Sequence, residues 1–377
     1  MMRINIRQPL VHQLPLHYVL VVPVLLSVLA VVTFTVHGDV NAPLLYSECH
    51  SRATLPEISR IPVLGAPACF LVSIIMYLTA SMRGIAQVSV FLAFLGALLT
   101  ACRVEAARAC NQRSWTIRSP TPSWLVFNLV GGTFVWDLWI VPAFLKRAKD
   151  IRGEGDKQGV LEDGQASPGL FEDEDRVMME RSFATRAEVY AIPVAVSIGF
   201  MLPAILMLVF KNVPAIIVWL FFPLWVAIVH RVVLWITVRL LRDNGPLYLE
   251  AHPASVTIVY ALPFLAGLLT HALFIWNLFC KDDSRTMTRM ALKFMKIDFV
   301  YIVATVLYWV FAEASIVPTV LMVVFSVFLG PGAALCLTWL VRERAISSFA
   351  VSGDENESDE ESDGDDSTVH EDTPLLP

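Results

Sequence analysis

The sequence predicts an all-α polytopic membrane protein: a helical bundle of about eight or nine transmembrane helices with a disordered acidic C-terminal tail. Of the 377 residues, 56% are hydrophobic and only 16% are charged, which is far more apolar than a soluble domain. Several uncharged runs reach the ~18 residues that cross a bilayer as a helix. No alternating pattern of about ten residues indicates a membrane barrel.

The chain divides into an N-terminal lead at 1–16, a transmembrane domain at 17–341 and the acidic tail at 342–377. A hydrophilic loop at 150–185 lies within the domain and is too poor in apolar residues to form a core of its own. The predicted spans lie at about 17–36, 62–82, 85–102, 123–145, 188–210, 214–238, 254–279, 297–315 and 318–341. Eight spans is the alternative count.

The charge pattern leaves the orientation of the bundle open. With nine spans, the two sides of the membrane carry 13 and 14 Lys and Arg residues, so the positive-inside rule does not choose between them. Much of the acid that gives the net charge of −6 sits in two soluble stretches, 154–180 and 354–372. The basic residues are scattered among loops, so we expect no nucleic-acid partner.

The fourth predicted span, Trp124–Leu145, is long enough to cross a bilayer and carries one acid, Asp137, between two tryptophans. A carboxyl group at that depth has no water to solvate its charge and is costly to keep. We therefore expect a proton, an ion, a substrate or a partner helix at Asp137. The alternative is a structural hydrogen bond or ion pair, for example with Arg231 or His271.

Four more acids lie in or near the predicted spans. Asp298 and Glu313 are 15 residues apart, which is about 22 Å along a helix, so they cannot form one catalytic pair. We expect Asp298 at the start of its helix, where an acid suits the helix dipole. Glu313 precedes a proline break and lies either at a cavity or at the interface. Asp243 and Glu250 belong to the polar loop after the sixth span.

The composition points to no metal or organic cofactor. No set of His, Cys and acidic residues has metal-ligand spacing, and no nucleotide or dinucleotide fingerprint is present. The six cysteines form no CxxC pair; we expect small buried hydrophobes, with Cys69 and Cys336 inside apolar segments. A lumenal disulfide involving Cys49 is the alternative.

The tail ends in Glu371-Asp372-Thr373-Pro374-Leu375-Leu376, which has the spelling of an acidic dileucine sorting signal. If the tail is cytosolic, a sorting adaptor is a possible partner; the alternative is two leucines that end a tail by chance. The endoplasmic reticulum is the expected membrane, with a vacuolar or endosomal membrane as the alternative.

The aromatic content has two interpretations. The chain holds ten Trp, eight Tyr and 22 Phe residues, many inside spans. They either pack the bundle and anchor it at the interfaces, or line an apolar pocket whose π faces stabilise carbocations. A neutral acid at the end of such a pocket would be able to protonate an epoxide or alkene.

The layout resembles the membrane-bound terpene cyclases of fungal meroterpenoid pathways, the ascofuranone-cyclase type, and the membrane proteins of paxilline-like clusters. The resemblance covers about residues 15–345 and rests on the chain length, an isolated first span, the Gly131-Gly132…Trp136-Asp137 segment with the PAFLKRAK run that follows, a long hydrophilic middle loop, and the RDNGP run at 242–246.

The resemblance implies a redox-neutral cyclisation, without a cofactor, of an epoxidised prenyl chain on an aromatic or indole substrate. Asp137 is then the first choice for the acid and Glu313 the second, with Asp243 or Glu250 as base or orienting group. The residues expected to contact the substrate are Trp136, Trp139, His271, Trp276, Asn277 and Trp309. A membrane transporter and a non-catalytic scaffold or sorting protein are the alternative functions.

Overall fold

The computed structural model describes residues 10–38, 65–162, 183, 185–241, 253–283 and 285–343. About 90% of this part is helical and none of it forms a strand, which confirms the all-α class. Asp243, Glu250, Cys49 and the acidic tail lie outside the described residues.

We number the helices in chain order. They are α1 Leu10–Gln13, α2 Leu16–His37, α3 Gly65–Leu78, α4 Met82–Ala107, α5 Trp115–Arg118, α6 Thr121–Val130, α7 Gly132–Val135, α8 Val141–Glu162, α9 Glu188–Val196, α10 Leu202–Phe210, α11 Val213–Leu220, α12 Phe222–Leu240, α13 Pro253–Leu278, α14 Thr286–Ala314, α15 Ile316–Leu329 and α16 331–343. A π-helical turn, Trp136–Ile140, joins α7 to α8, and a second, Ser197–Met201, joins α9 to α10.

Six elements of the described chain are long and apolar enough to cross a membrane: α2, α4, the joined α9 and α10, α12, α13 and α14. This supports a multi-pass membrane protein and leaves the count of eight or nine spans unconfirmed. The helix α3 is shorter, as is α15.

The helix pair α2 and α14 defines the two ends of the bundle. The Tyr308 hydroxyl donates to the carbonyl of Val19 at 2.6 Å, and the hydroxyls of Tyr301 and Thr33 lie 2.6 Å apart. The two helices are therefore antiparallel. We call the end that holds the start of α2 and the end of α14 end A, and the opposite end, with the start of α14, end B.

The stretch 121–145 is not one straight span, as the sequence predicted, but a hairpin that enters and leaves at end A. The Trp124 and Trp136 rings are 6.2 Å apart, whereas 12 residues of straight helix would separate them by about 18 Å. Arg147, just after the second arm of the hairpin, donates to the carbonyl of Cys110 at 2.9 Å. Cys110 follows the end of α4 at end A, so the second arm returns to that end. The turn is at Gly131, whose φ of 142° is open mainly to glycine. We call residues 121–145 hairpin 1.

A second hairpin, residues 316–343, also enters and leaves at end A. The chain turns in at Ser315 and turns back at Gly330, with φ of 92° and 89°. After the return, Arg342 pairs with Glu313 at 3.2 Å, although 29 residues separate them. The sequence predicted a ninth span at 318–341, and this stretch instead folds back on itself. We call it hairpin 2.

The long helix α14 corrects a boundary. It begins at Thr286, not near 297, so Asp298 lies well inside the helix rather than at its start. The apolar run begins only after Lys293 and Lys296, so hydropathy predicted a helix start near residue 297. The helix in fact begins before these two lysines. Asp298 therefore does not serve its own helix dipole.

Candidate active site

Asp137 is the central residue of the candidate site. It sits in the π-helical turn of hairpin 1 and is fully buried. Its Oδ1 lies 2.6 Å from the Thr305 hydroxyl on α14, while its Oδ2 is buried and has no hydrogen-bond partner in the part of the chain that the structure describes. The partner of Asp137 is thus Thr305, rather than Arg231 or His271.

The Thr305 hydroxyl also lies 3.0 Å from the carbonyl of Tyr301. A hydroxyl has one hydrogen to donate, so the Thr305 hydrogen is shared between Oδ1 of Asp137 and the carbonyl of Tyr301. Neither contact involves Oδ2, which is the oxygen left over to carry the proton of a neutral acid.

Asp298, the second acid of this region, serves the turn of hairpin 1. Its Oδ1 accepts from the backbone N–H of Thr133 at 3.0 Å and from the Thr133 hydroxyl at 2.7 Å. Thr133 opens the returning arm, just after Gly131, so Asp298 supplies in trans the cap that the broken helix lacks. Asp298 and Thr305 are seven residues apart on α14 and share its face toward hairpin 1.

A continuous aromatic cluster lies beside Asp137. The rings of Trp124, Trp136, Trp309 and Trp339 follow one another with centroid distances of 6.2, 6.0 and 4.7 Å. All four side chains are buried. The indole N–H groups of Trp136 and Trp339 have no hydrogen-bond partner among the described residues. The cluster joins both hairpins to α14.

A small, partly open cleft borders this cluster, and Trp124, Ile140, Phe144, Thr116 and Pro120 are among the residues that line it. Its volume is about 10 Å³, whereas small-molecule pockets typically hold ~300–1,000 Å³. A prenyl chain would therefore need the aromatic cluster to open.

Glu313 lies in a buried ion-pair network at end A rather than beside Asp137. It accepts from the Trp309 indole at 2.6 Å and pairs with Arg342 at 3.2 Å. Arg342 also contacts Glu105, and Arg108 binds both oxygens of Glu343 at 2.7 Å. The network ties the ends of α4, α14 and hairpin 2 together.

The remaining predicted site residues are spread over the bundle. Trp136 and Trp309 belong to the aromatic cluster. Trp139 points outward, 37% exposed, and Trp276 is 73% exposed. Trp276 and Asn277 lie near the end of α13 at end B. His271, also on α13, packs against the turn of hairpin 2, with its Nε2 3.2 Å from the carbonyl of Val327.

The sequence did not single out Thr305, Thr133 or Tyr301. Thr305 and Thr133 lie 168 and 165 residues from the acids that they contact, and Tyr301 lies within an apolar run. The sequence spacing therefore could not predict these contacts. The one local hint was the pair Gly131-Gly132 beside the acid. Among the described residues, no group of three or more His, Cys, Asp or Glu is arranged to hold a metal ion.

Comparison of the chain with protein-family models, with curated proteins and with solved structures gave no match.

Proposed function

We propose that the chain is a membrane-bound terpene cyclase in which Asp137 starts the cyclisation of an epoxidised prenyl chain. The observation that carries this proposal is the buried Oδ2 of Asp137, which has no hydrogen-bond partner among the described residues and belongs to the residue that follows the buried Trp136. A neutral acid in apolar surroundings is a proton donor, and π faces stabilise the cations that follow.

The proposed reaction is balanced without a cofactor. Asp137 gives its proton to the epoxide oxygen, the C–O bond breaks, and the electrons of a neighbouring alkene form a new C–C bond. Successive alkenes repeat that step, and the last cation loses a proton from carbon to a base. One proton enters and one leaves, so the product is an isomer of the substrate. Asp243 and Glu250 stay candidate bases outside the described residues.

The structure of the interior supports one entry route. The cleft lined by Thr116 and Pro120 reaches Trp124, and Trp124 packs on Trp136. Asp298 holds the turn of hairpin 1 through Thr133, and Asn128 ties its first arm to the carbonyl of Leu220 at 2.7 Å, so these contacts have to open to admit a prenyl chain. The substrate class is an apolar prenyl chain with an aromatic head group.

The test uses microsomes that contain the full chain and an aromatic compound with a terminal epoxyprenyl chain. We expect a cyclised product of unchanged mass. Asp137→Asn should lower its formation by at least about a hundredfold, the scale of general acid catalysis. Asp150→Asn, an exposed acid farther along the same helical arm, is the matched control and should retain activity. No product across a range of such epoxides sinks the proposal.

One observation favours a second function, proton-coupled transport. Two hairpins turn at glycine, Gly131 in the hairpin that holds Asp137 and Gly330 beside His271, and broken helices of this kind carry the substrate sites of many transporters. Uptake of a solute into vesicles, driven by a proton gradient and lost in Asp137→Asn, would support this class. In that case the epoxide assay should give no product.

The number of membrane crossings and the compartment are part of the proposal. Six crossing elements among the described residues, with both hairpins re-entering from end A, and residence in the endoplasmic reticulum fit an enzyme of apolar secondary metabolites. Vacuolar or endosomal residence, with a sorting adaptor on the tail, fits the transporter better.

A further inference from the structure

The two hairpins change the distribution of positive charge across the membrane. Since each hairpin returns to end A, the six candidate spanning elements bring the chain back to end A after residue 314. Of the 28 Lys and Arg residues, 17 stand in the sequence at or between helix ends that lie at end A, and nine at or between helix ends that lie at end B.

The 17 residues of end A are Arg3, Arg7, Arg108, Arg113, Arg118, Lys146, Arg147, Lys149, Arg152, Lys157, Arg176, Arg181, Arg186, Arg239, Arg242, Arg342 and Arg344. The nine of end B are Arg52, Arg60, Arg83, Lys211, Lys281, Arg285, Arg289, Lys293 and Lys296. Arg103 and Arg231, which lie inside α4 and α12, are counted at neither end. With nine spans the two sides carried nearly equal numbers of Lys and Arg. With the two hairpins returning to end A, end A carries more of them, and the positive-inside rule makes it the cytosolic end.

An independent observation places end B on the opposite side. Cys69, near the start of α3, is disulfide-bonded, where the sequence predicted a buried thiol. The neighbouring Phe70 ring packs on Phe294 at 5.6 Å, and Phe294 packs on Phe34 at 4.9 Å. Phe34 lies three residues from the end of α2, so Cys69 is close to end B. Disulfides persist on the lumenal or external side of membranes.

End A also carries a surface built for a charged membrane interface. Arg113, Trp115 and Arg118 are exposed on the short turns between α4 and hairpin 1, with Trp115 62% exposed. Lys146 is exposed beside Arg147, whose side chain binds the carbonyl of Cys110 in the same turns. Tryptophan anchors at the head-group level, and flanking cations attract anionic lipid.

We infer that end A faces the cytosol and that Arg113, Trp115, Arg118 and Lys146 bind the anionic lipid head groups of that leaflet. This inference does not depend on the catalytic proposal. It also puts the tail, which continues from end A, in the compartment where a sorting adaptor could read its dileucine motif.

The orientation is tested with a membrane-impermeant maleimide on sealed microsomes, whose outer face is cytosolic. Cys280 is an exposed free thiol at end B and should react only after detergent is added, with Cys280→Ser as the blank. In the Cys280→Ser background, Arg113→Cys should react without detergent. Cys280 labelling in sealed microsomes, or Arg113→Cys labelling only after detergent, overturns the orientation.

The lipid surface is tested in nanodiscs with phosphatidylserine or with phosphatidylcholine alone. The thermal midpoint should rise with phosphatidylserine and fall back as salt screens the charges. Neutralising Arg113, Arg118 and Lys146 to Gln should remove that rise. The matched triple at end B, Lys211, Lys281 and Arg285 to Gln, should keep it. Equal loss in both triples, or no rise in the wild type, contradicts the lipid surface.

Discussion

At the scale of single residues, the two intramembrane acids have different partners and so different roles. Asp298 accepts two hydrogen bonds from Thr133 and holds a turn. Asp137 has one contact, to Thr305, and one free oxygen. An acid with all of its contacts made is structural, whereas one with an unused buried oxygen has capacity for a ligand or a proton.

Thr305 should act as a positioning residue for Asp137. Thr305→Val keeps the shape of the side chain and removes the hydroxyl. Losing one hydrogen bond of about 1 kcal/mol should lower the cyclisation rate about five- to tenfold, measured as turnover in microsomes.

Thr305→Ser restores the hydroxyl and should restore turnover, which separates a hydrogen-bond effect from a packing effect. Equal activity in Thr305→Val and the wild type would remove Thr305 from the site.

The buried ion pairs at end A should matter far more to stability than the exposed pair at end B. Arg108 and Glu343 are 3% and 0% exposed, and Arg83 and Asp282 are 29% and 39% exposed. Glu343→Gln breaks the two short bonds to the buried Arg108, which keeps Glu105 at 3.4 Å, and should cost about 3 kcal/mol. Asp282→Asn should cost no more than about 1 kcal/mol.

Thermal unfolding in detergent checks this comparison. Similar midpoints for the two variants would mean that the Arg108–Glu343 pair is not a structural tie.

Residue chemistry was only partly predictable from the sequence. Asp137 stood out because an acid inside a long apolar run is rare and costly. Its partner did not, because Thr305 lies 168 residues away and threonine is common in membrane helices. Asp298 was assigned to a helix end because Lys293 and Lys296 interrupt the apolar pattern before it.

At the scale of elements, the two hairpins are what hydropathy cannot detect. A window of apolar residues measures length and gives no direction, so 121–145 and 318–341 look like crossing spans. The direction changes at single backbone positions, Gly131 and Gly330, with φ of 142° and 89°. A glycine inside an apolar run is common and does not by itself predict a turn. Contacts between the two arms, such as that of Trp124 with Trp136 in hairpin 1, show that the chain reverses.

Gly131→Ala should weaken hairpin 1. No neighbour comes closer than 3.5 Å to an added Cβ at this position, so the cost is conformational, about 1–3 kcal/mol. A lower thermal midpoint together with weaker product formation is expected. An unchanged midpoint would show that the turn does not need glycine.

Ser315→Gly makes the opposite prediction. Ser315 has φ 92° and ψ 179° at the entry to hairpin 2, a conformation that costs a residue with a Cβ about 1–3 kcal/mol. Glycine relieves that strain, so the variant should unfold at a higher temperature than the wild type. A lower midpoint would mean that the serine side chain makes a contact worth more than the strain.

At the scale of the whole molecule, the bundle places one acid and four tryptophans in a shared interior and sets its charged network at one end. The hydrophobic class and the tail composition were readable from the sequence. The orientation was not, because counting 62–82 and both hairpins as spans puts Arg83, the loop at 103–121 and the residues after 341 on the opposite side.

The tail should be separable from the chemistry. It lies beyond the ion-pair network that ends at Glu343, so deletion of residues 345–377 should leave cyclisation unchanged and alter only the distribution of the protein among membranes. Product formation in microsomes checks that cyclisation is unchanged. Fluorescence microscopy of a tagged chain checks that the distribution among membranes is altered. Loss of activity with a correctly inserted bundle would favour the scaffold function.

The central claim is tested most directly with the purified chain in nanodiscs, incubated with an aromatic epoxyprenyl compound and no cofactor. We expect a cyclised isomer of identical mass, formed by the wild type and by Asp150→Asn but not by Asp137→Asn. A product of changed mass, or equal product from Asp137→Asn, would contradict the account.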